Sequence, residues 1–585
     1  MSLYVYVSSF FSYVKKKIYI NFKKFNYFFQ KKRIIFSQQH QNFQKYFLNK
    51  MAQALEQSVQ EKFKKYLDNA GLDCKDYQVK GVEWCVEHEV RGYRLNDYTI
   101  KNQDKTITKI SGQIIRGGIM ADEMGLGKTI QMLGTIITNV KRHTLIVLPK
   151  ALLDQWKNAI IKTLGHKPLI YHHFTKKQKP EMDEKLKFSP IVITTYGMVA
   201  QSIATNGMAA GATKSPLHEM KWDRIIFDEA HHLRNNSTRE YEGALKLKSP
   251  IKWMVTGTPI QNKISDLYSL LDILGVPKSY YKKKEHKAQA QEEHIEQAEA
   301  EHIAEKAQAV EEALEEELKN LRTLTNEIIL HRTKASVGLI LPPLSLASAN
   351  IKWQTNEEKK IAEHIHTFLN GEKKEEDDDD EPNDDESFVL LKFLRARQVC
   401  ILAALNKKKK SIDGTNSKTD AVVAKIAERK ENGKHKIVFC HFRGEIDFIK
   451  KMLTEKHKME VKVIDGRTPD KERKEILKAQ TGALEQSSEA VHPQAAKVLI
   501  LQIQTGCEGL NLQEYSEVYF VSPHWNPAVE DQAVARCYRI GQKEETQVFR
   551  FYMNGFDEED KTKSLDQYVT KKQIGKKALV SKLLW

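Results

Sequence analysis

Hydrophobic and polar positions predict three kinds of element along this chain. Residues 114–144 are predicted to form a short apolar segment, a glycine-rich turn and a helix. Residues 224–227 are predicted to form an apolar strand that ends in acidic residues. From 303 to 321, apolar residues recur in steps of three and four, which predicts a helix with one apolar stripe. No apolar run approaches the roughly 18 residues that a membrane-spanning helix needs, so such a helix is excluded.

The composition is that of a globular protein with large buried cores. The chain has 585 residues, of which 41% are hydrophobic and 29% are charged. At roughly 150 residues per domain, this length suggests three or four domain equivalents. None of the six cysteines belongs to a CxxC pair, which argues against a zinc finger, a RING domain or a disulfide framework and favours a reducing compartment.

The net charge of +16, from 93 Lys and Arg against 77 Asp and Glu, is unevenly distributed. Residues 1–50 contain ten basic residues and no acid, and they are either a mis-assigned start or disordered tail, or a basic organelle-targeting peptide. Residues 285–320 and 372–387 each carry −9, as a Glu-rich helix and an acidic disordered loop. The rest of the chain therefore carries +24, which suggests a polyanionic partner such as nucleic acid.

A glycine-rich turn ahead of a predicted helix has the residues of a phosphate-binding loop. Gly125 and Gly127 let backbone N–H groups approach phosphate oxygens, and the next helix directs its positive amino end at them. Lys128 would reach the β- and γ-phosphates of ATP, and Thr129 would offer its hydroxyl to Mg²⁺. The candidate nucleotide-binding residues of the turn are Asp122, Glu123, Met124, Gly125, Leu126, Gly127, Lys128 and Thr129. The strict pattern has glycine where this chain has Asp122.

An acidic pair follows the apolar strand 224–227, about 100 residues after the turn. A carboxylate at the carboxyl end of a strand can hold the water shell of Mg²⁺, which assigns Asp228 as a metal ligand. Glu229 can then orient or deprotonate the attacking water. Taken singly, such a pair is usually a helix cap, but together with the Gly-Lys-Thr turn it indicates a phosphohydrolase.

These two blocks resemble motifs I and II of the superfamily-two helicases, and the form of the turn is similar to that of the Swi/Snf-type DNA translocases. Further blocks resemble the remaining motifs in family order, at 77–84, 145–150, 192–196, 256–262, 436–442, 464–468, 498–512 and 522–542. The resemblance covers residues 71–552, about four-fifths of the chain. It implies that Gln78 reads the adenine base and adds Gly509 to the nucleotide site.

The last of these blocks places Gln532, Arg536 and Arg539 at i, i+4 and i+7, which predicts that they share one helix face. Arginines that reach a γ-phosphate stabilise the charge of the transition state. Because they lie in the opposite lobe from Lys128, ATP can join the two lobes, and hydrolysis can separate them.

The implied fold class is α/β, with two RecA-like lobes built on parallel sheets, helical protrusions and a C-terminal brace. Lobe 1 is predicted at 51–345 with a helical protrusion at 266–341, and lobe 2 at 388–560. The predicted divisions outside the lobes are the leader 1–50, a linker with the acidic loop at 346–387, and the brace at 561–585.

The family resemblance implies that double-stranded DNA is tracked through its phosphate backbone, without sequence readout. The candidate DNA contacts are Lys150, Thr194, Tyr196, Arg443, Thr468 and Trp525. Each has a structural alternative: Trp525 could be packed in the core, and Lys150 could be a solvated loop charge.

The predicted activity is DNA-dependent hydrolysis of ATP, with Mg²⁺, that drives translocation on duplex DNA and remodels nucleosomes or other DNA–protein complexes. Residues 285–320 and the acidic loop 372–387 are candidate sites for partner subunits, or a solvated protrusion and spacer. The chain looks most like the branch of repair translocases and termination factors, but it lacks their RING domain. The nucleus is expected, or an organelle if the leader is a targeting peptide. The rivals are a strand-separating helicase and a non-catalytic scaffold.

Overall fold

The computed structural model describes residues 55–95, 98–101, 107–110, 112–175, 177–201, 215–281, 321–370, 386–402, 416–481, 497–506, 510–556 and 562–584. Residues 63–585 form one compact unit, and residues up to 62 belong to a separate one. The leader 1–50, the Glu-rich segment 285–320 and residues 372–385 of the acidic loop lie outside the described residues. The predictions for these three segments therefore stay predictions.

Strands and helices alternate through the compact unit. The strands are β1 (Tyr93–Arg94), β2 (Tyr98–Lys101), β3 (Ile107–Ile110), β4 (Ile114–Ile115), β5 (Gly117–Met120), β6 (Thr144–Leu148), β7 (Leu169–Ile170), β8 (Ile191–Thr195), β9 (Arg224–Asp228), β10 (Lys252–Val255), β11 (Ile329–Leu330), β12 (Leu344–Ile351), β13 (His435–Cys440), β14 (Val461–Ile464), β15 (Val498–Gln502), β16 (Tyr515–Phe520) and β17 (Thr546–Met553). The helices are α1 (Asp76–Val90), α2 (Lys128–Thr138), α3 (Leu153–Leu164), α4 (Lys179–Phe188), α5 (Tyr196–Gln201), α6 (Pro216–Glu219), α7 (Arg239–Lys246), α8 (Ser265–Leu274), α9 (Asn356–His366), α10 (Glu386–Ile401), α11 (Ser417–Glu428), α12 (Arg443–Lys451), α13 (Asp470–Thr481), α14 (Ile503–Gly506), α15 (Pro527–Cys537) and α16 (Leu565–Leu584).

Two larger sheets organise the fold. The first has seven strands in the order β11-β5-β10-β9-β6-β8-β7, and the second has six in the order β12-β17-β16-β13-β15-β14. Every pairing in both sheets is parallel. The predicted class, two α/β lobes on parallel sheets, is confirmed; lobe 1 is the part built on the first sheet and lobe 2 the part built on the second.

The central strands are parallel because both of their faces are covered by helices. In β6 and in β9 every residue is buried, so these strands read as continuous apolar runs and not as an alternation. Strand β9 also buries Arg224, whose guanidinium pairs with Glu89 of α1 in the interior, where neither side chain is exposed. All carboxyl ends of a parallel sheet meet at one edge, and ligand-binding loops collect there.

The predicted protrusion 266–341 is wrong at both of its ends. Helix α8 packs in the core of lobe 1 through Leu267, Leu270 and Leu271, which are fully buried. Strand β11 joins the first sheet beside β5. The apolar side chains at both ends decide this, because they gain more free energy in the core than on a protruding arm.

The predicted linker 346–387 begins inside lobe 2. Strand β12 pairs in parallel with β17 along its whole length, and α9 follows it within the same range. Residues 386 and 387, assigned to the acidic loop, begin α10.

The C-terminal helix α16 contacts both lobes, in the way expected of a brace. At its amino end Asp566 forms a fully buried ion pair with Lys418 of lobe 2. Near its carboxyl end, Lys576 donates to Asn262 Oδ1 of lobe 1 at 2.8 Å, and Val580 packs on the core of lobe 1. Among the described residues, no helix has the length and apolar character required to cross a bilayer.

Candidate functional site

The glycine-rich loop lies at the carboxyl end of β5 and leads directly into α2. Gly125 and Gly127 both have positive φ, at 95° and 78°, which side chains other than glycine rarely adopt. A Cβ on Gly127 would lie 2.5 Å from Gln78 Nε2, and one on Gly125 would lie 3.3 Å from Arg539 Cβ. The loop is therefore a bare backbone cradle between Gln78 and lobe 2.

Lys128 is the first residue of α2 and is held toward the loop. Its Nζ donates to the Asp122 carbonyl oxygen at 2.8 Å, and a Cβ on Gly257 would lie 3.4 Å from it. Burial lowers the pKa of Lys128, against the opposing fields of Glu229, Asp122 and Asp228. A nucleotide phosphate would add a further negative charge beside this ammonium, which burial has partly removed from water. Thr129 lies in the same first helical turn and is partly buried.

Asp228 and Glu229 lie where β9 ends, as predicted from the sequence. Glu229 has φ 51°, a left-handed conformation that costs a non-glycine residue free energy and concentrates at functional sites. Trp156 Nε1 of α3 donates to Asp228 Oδ2 at 2.6 Å, and the Glu229 amide donates to Asp228 Oδ1 at 3.0 Å. Burial and the neighbouring Glu229 raise the pKa of the Asp228 carboxyl. A bound cation would remove this penalty.

Glu229 faces cations from both lobes. Burial would raise the pKa of its carboxyl, but His231, Arg536 and Lys128 together lower it below the ordinary value. His231 Nδ1 lies 3.3 Å from Glu229 Oε2, and Arg536 of lobe 2 lies 3.7 Å from Glu229 Oε1. Among the described residues, the Oε2 atom is buried and has no hydrogen-bond partner. An ionised carboxylate with one unsatisfied oxygen is suited to orient a water molecule.

The arginines of lobe 2 reach the loop, but not on one helix face. Helix α15 ends at Cys537, so Gln532 and Arg536 are helical and Arg539 lies past the helix end. The prediction of a shared face is wrong for Arg539, because Tyr538, with ψ 80°, leaves the helical conformation. Arg539 nevertheless packs on Gly125, and the buried Gln532 Nε2 has no hydrogen-bond partner in the part of the chain that the structure describes.

Arg332 is a residue of the site that the sequence analysis missed. It follows β11, and its guanidinium donates to Asp122 Oδ1 at 2.9 Å and to Gln131 Oε1 at 2.8 Å. A further N–H of Arg332 donates to the Tyr77 carbonyl oxygen, next to Gln78. The Asp122 side chain therefore points into the protein, and Arg332 ties the loop to α1 and α2. The Asp122 side chain is therefore not placed to bind nucleotide, and a nucleotide contact through the Asp122 backbone stays a prediction.

Replacing Arg332 by methionine is expected to lower the free energy of unfolding by about 3–5 kcal/mol, because it strands the fully buried Asp122 carboxylate. Urea unfolding measures this loss. The matched control is Lys185→Met, which breaks the exposed pair with Glu181 and should leave the free energy of unfolding nearly unchanged, because solvent screens that pair. Equal losses in the two variants would contradict the anchoring role of Arg332.

Lys334 links the loop to lobe 2 and was also missed. Its Nζ lies 2.6 Å from Glu123 Oε1, and its backbone amide donates to Glu123 Oε2 at 2.7 Å. The same ammonium lies 5.2 Å from the centre of the ring of Tyr538. Tyr538 stands between Arg536 and Arg539 in the sequence of lobe 2. The sequence signal that could have pointed to Arg332 and Lys334 is the basic run at 331–334, which directly follows an apolar pair. The Glu123 carboxylate is thus paired with Lys334 of the protein itself. Of the other predicted loop residues, Met124 packs against Gly257, and Leu126 is fully buried.

Replacing Trp156 by phenylalanine should lower the turnover of a hydrolysis reaction at Asp228 by about 10- to 100-fold. A group that orients a metal-binding carboxylate typically has this effect, and the change removes the indole N–H that holds Asp228 Oδ2 together with part of the buried ring. Steady-state kinetics with varied ATP would separate kcat from KM. Trp222→Phe is the matched control, because Trp222 is equally buried and donates to the distant Leu217 carbonyl oxygen. Unchanged turnover in Trp156→Phe would refute the positioning role.

The structure separates the six predicted DNA contacts into two groups. The Thr194 hydroxyl is buried and donates to the Tyr171 carbonyl oxygen at 2.8 Å, so a contact through this side chain is wrong. Tyr196 is 5% exposed and its hydroxyl donates to the Asp228 carbonyl oxygen at 2.7 Å, so that hydroxyl is also engaged inside. Trp525 packs with Phe393 and lies under the Arg397 guanidinium, which makes it part of the core of lobe 2.

The other three contacts are accessible. Lys150 and Arg443 are exposed, and each lies just past the carboxyl end of a strand, after β6 and after β13. Thr468 is partly exposed and accepts from the Asp465 amide at 3.0 Å. Gly509, predicted in the nucleotide site, lies outside the described residues.

Two lobes meet again at residues 256–262. Asn526 Nδ2 of lobe 2 donates to Gln261 Oε1 at 2.8 Å, and Lys576 of α16 donates to the adjacent Asn262. Gly257 at the start of this segment approaches Lys128 and Met124 so closely that a Cβ would collide with Met124 Cγ at 2.8 Å. One short segment thus contacts the phosphate loop, lobe 2 and the brace.

The residues present fit ATP with Mg²⁺. A bare glycine cradle, a buried ammonium and an arginine pair provide sites for phosphate charge, while Asp228 and Thr129 are oxygen donors of the type that Mg²⁺ prefers. The unsatisfied atoms Glu229 Oε2 and Gln532 Nε2 lie in this same set of residues. When bound, Mg²⁺ would neutralise phosphate charge.

Two parallel-sheet lobes with a phosphate loop, an acidic pair and arginines contributed across the interface define a helicase-like nucleotide-binding protein. The family model of the SNF2-related domain matches residues 77–414, and that of the helicase conserved C-terminal domain matches residues 417–541. The chain therefore belongs to the SNF2-related family of helicase-like ATPases.

Several relatives align with most of this chain. An uncharacterized ATP-dependent helicase of Mycoplasma pneumoniae is 27% identical over 87% of this chain and 42% of its own length. The DNA excision repair protein ERCC-6-like of Homo sapiens is 26% identical over 80% of this chain and 39% of its own length. A probable global transactivator of Orgyia pseudotsugata multicapsid polyhedrosis virus is 24% identical over 87% of this chain and 91% of its own length. The chain thus spans less than half the length of the first two relatives.

Among solved structures, the Sulfolobus solfataricus SWI2/SNF2 ATPase core in complex with dsDNA is 22% identical, covering 88% of this chain and 97% of its own, with a TM-score of 0.35.

Proposed function

We propose that this chain is a DNA-dependent ATPase that uses Mg²⁺ and ATP to translocate on double-stranded DNA and to displace or remodel DNA-bound proteins. The observation that carries the proposal is the meeting of Arg536 and Arg539 of lobe 2 with Glu229 and Gly125 of lobe 1. A nucleotide held by both lobes would couple each hydrolysis event to a change in lobe separation. Alternate closing and opening around ATP is the physical basis of stepping along a strand.

The charge distribution supports duplex DNA as the track. The chain outside the leader and the two acidic segments carries +24, and Lys150 and Arg443 are exposed at the carboxyl ends of strands in different lobes. Contacts to phosphates need only basic, hydroxyl and amide groups and carry no sequence information. The relatives named for excision repair and for transactivation are consistent with work on DNA.

ATP hydrolysis measured with duplex DNA, single-stranded DNA, RNA and no nucleic acid tests the proposal. We expect duplex DNA to stimulate turnover most strongly, and displacement of a triplex-forming strand to report translocation. Lys128→Ala serves as the control, because it removes the buried ammonium of the loop. A rate that does not respond to duplex DNA would refute the proposal.

The rival functions predict different outcomes in the same experiments. A strand-separating helicase would release a labelled strand from a forked duplex. A non-catalytic scaffold would show no hydrolysis above the Lys128→Ala background, although the intact Lys128, Glu229 and Arg539 argue against it. Nuclear location, and partner subunits that bind through 285–320 and 372–387, are further proposals that a tagged chain and its captured partners would test.

A further inference from the structure

One cation of lobe 1 stands between the phosphate loop and the arginine segment of lobe 2, residues 536–539. Lys334 follows β11, and its side chain is only 9% exposed. Its Nζ lies 2.6 Å from Glu123 Oε1, and its backbone amide donates to Glu123 Oε2 at 2.7 Å. A single residue therefore engages both oxygens of the Glu123 carboxylate and fixes that charge on the side of lobe 1.

The same lysine side chain also meets the arginine segment. Its Nζ lies 5.2 Å from the centre of the Tyr538 ring, a distance at which a cation is attracted to the face of an aromatic ring. A Cβ on Gly125 would lie 3.5 Å from Lys334 Cε and 3.3 Å from Arg539 Cβ. Lys334 and Arg539 thus lie against the same glycine of the phosphate loop, one from each lobe.

The position of Arg539 is not set by a helix. Helix α15 ends at Cys537, and Tyr538, with ψ 80°, leaves the helical conformation. Within lobe 2, the Gln542 amide donates to the Arg539 carbonyl oxygen at 3.0 Å, which holds the backbone after the helix end. The contact of Lys334 with the Tyr538 ring comes from lobe 1. The register of the arginine segment against the phosphate loop therefore depends on a contact across the lobes.

Glu123 is the carboxylate that could compete with a phosphate for Arg539. It lies two residues before Gly125, and the lysine that holds it lies against the same glycine as Arg539. Burial, followed by the charge of Arg536, lowers the pKa of Arg539, and no carboxylate of the described residues offsets this. Arginine and carboxylate form strong, charge-assisted hydrogen bonds. Without the Lys334 ammonium, Glu123 would attract the arginine that the phosphate needs.

We propose that Lys334 is a positioning residue for ATP hydrolysis. It neutralises Glu123, which leaves Arg539 available to the γ-phosphate, and it seats Tyr538 so that the arginine segment meets the phosphate loop. Lys334 acts through these residues and not through a contact of its own with the nucleotide. The proposal rests on the proposed function, because the role has an effect only in a chain that hydrolyses ATP.

Replacing Lys334 by methionine should lower kcat for ATP hydrolysis by about 100-fold, the effect of misplacing a group of the site by about 1 Å. The KM for ATP should change much less, because Lys128 and the glycine loop are intact. The variant should stay folded, since the Glu123 side chain is 39% exposed and solvent can take up its charge. Steady-state kinetics without DNA gives kcat and KM, and thermal unfolding followed by circular dichroism checks the fold.

Two further variants separate positioning from a general loosening of the structure. Lys334→Arg keeps a cation that can hold the carboxylate and lie over the ring, so it should retain most of the turnover. The double variant Lys334→Met with Glu123→Gln should recover part of the kcat that Lys334→Met loses, because no carboxylate is left at that position to attract Arg539. Removing a second polar charge would not repair a site that had simply lost its packing.

Lys425→Met is the matched control. Lys425 lies on α11 of lobe 2, where it donates to Glu428 Oε2 at 3.1 Å and lies 6.0 Å from the centre of the Phe549 ring. This variant therefore loses the same two kinds of contact, with a carboxylate and with an aromatic ring, but not at the phosphate loop. Its kcat should match that of the unmodified protein.

The role of Lys334 and the proposed function can fail separately. Hydrolysis without DNA reports on Lys334, whereas stimulation by duplex DNA reports on the proposed function. An equal kcat in Lys334→Met and in the unmodified protein overturns the positioning role, and so does a loss that neither Lys334→Arg nor the double variant repairs. An unmodified chain that hydrolyses no ATP, with or without duplex DNA, overturns both.

Discussion

Replacing Glu229 by glutamine is expected to lower the rate of ATP hydrolysis by about 100- to 10,000-fold, the range that a positioned general base contributes. The amide keeps the volume of the side chain but cannot accept a proton. In the structure this carboxyl is held ionised by His231, Arg536 and Lys128, and its Oε2 atom has no hydrogen-bond partner among the residues that the structure describes. Binding of ATP and of duplex DNA should remain measurable, because neither requires a base.

Single-turnover hydrolysis and the binding of a fluorescent ATP analogue separate these effects. Glu219→Gln is a matched control. It makes the same chemical change elsewhere in lobe 1, at a residue that is exposed at the end of α6. Normal turnover in Glu229→Gln would show that another group activates the water. Loss of ATP binding in that variant would show that Glu229 shapes the site, and not the chemistry alone.

Replacing Arg539 by alanine should reduce turnover by about 1,000- to 100,000-fold, which is the effect of an arginine finger on phosphoryl transfer. Arg539 packs on Gly125 from the opposite lobe, and burial lowers the pKa of its guanidinium. Among the described residues no carboxylate contributes to this shift, and a partly buried cation in such a position is arranged to receive an anion. Arg536→Ala should also lower turnover, but by a second route, because Arg536 lies 3.7 Å from Glu229 Oε1 and helps to hold that carboxylate ionised.

The control for both arginines is Arg142→Ala. Arg142 is exposed just before β6, at the opposite edge of the sheet from the phosphate loop. DNA binding without nucleotide should be unchanged in all three variants, and ATP should no longer alter that binding in Arg539→Ala. A full response to ATP in Arg539→Ala would contradict the idea that nucleotide joins the lobes through this residue.

The ATP site could be read from the sequence wherever its parts are local. The loop 121–129 and the pair Asp228–Glu229 are each contiguous, and the chemistry of each depends on residue types at fixed short spacing. Arg332, Lys334 and Trp156 were not recognised as parts of this site. They lie far from their partners in the chain; Arg332, for example, is 210 residues from Asp122. Nothing in a local pattern reports which carboxylate such a residue meets.

The predicted DNA contacts show the complementary limit. Lys150 and Thr194 belong to similar motif blocks at the ends of neighbouring strands, yet one is exposed and the other has a fully buried hydroxyl. The direction of a side chain at a strand end depends on the pleat and on the segments packed above it. The prediction that Gln532, Arg536 and Arg539 share one helix face was wrong for a related reason. Their spacing in the sequence is helical, but the helix itself ends at Cys537.

The sequence by itself determined the family, the two-lobed parallel architecture and the phosphate loop with its acidic pair. Apolar runs and short motifs specify these features locally, and burial of the runs leaves few alternative folds. Only the tertiary structure decided which cations face Glu229 and which group holds Asp228. Those arrangements join residues from separate strand ends, and the packing of the whole sheet sets their distances.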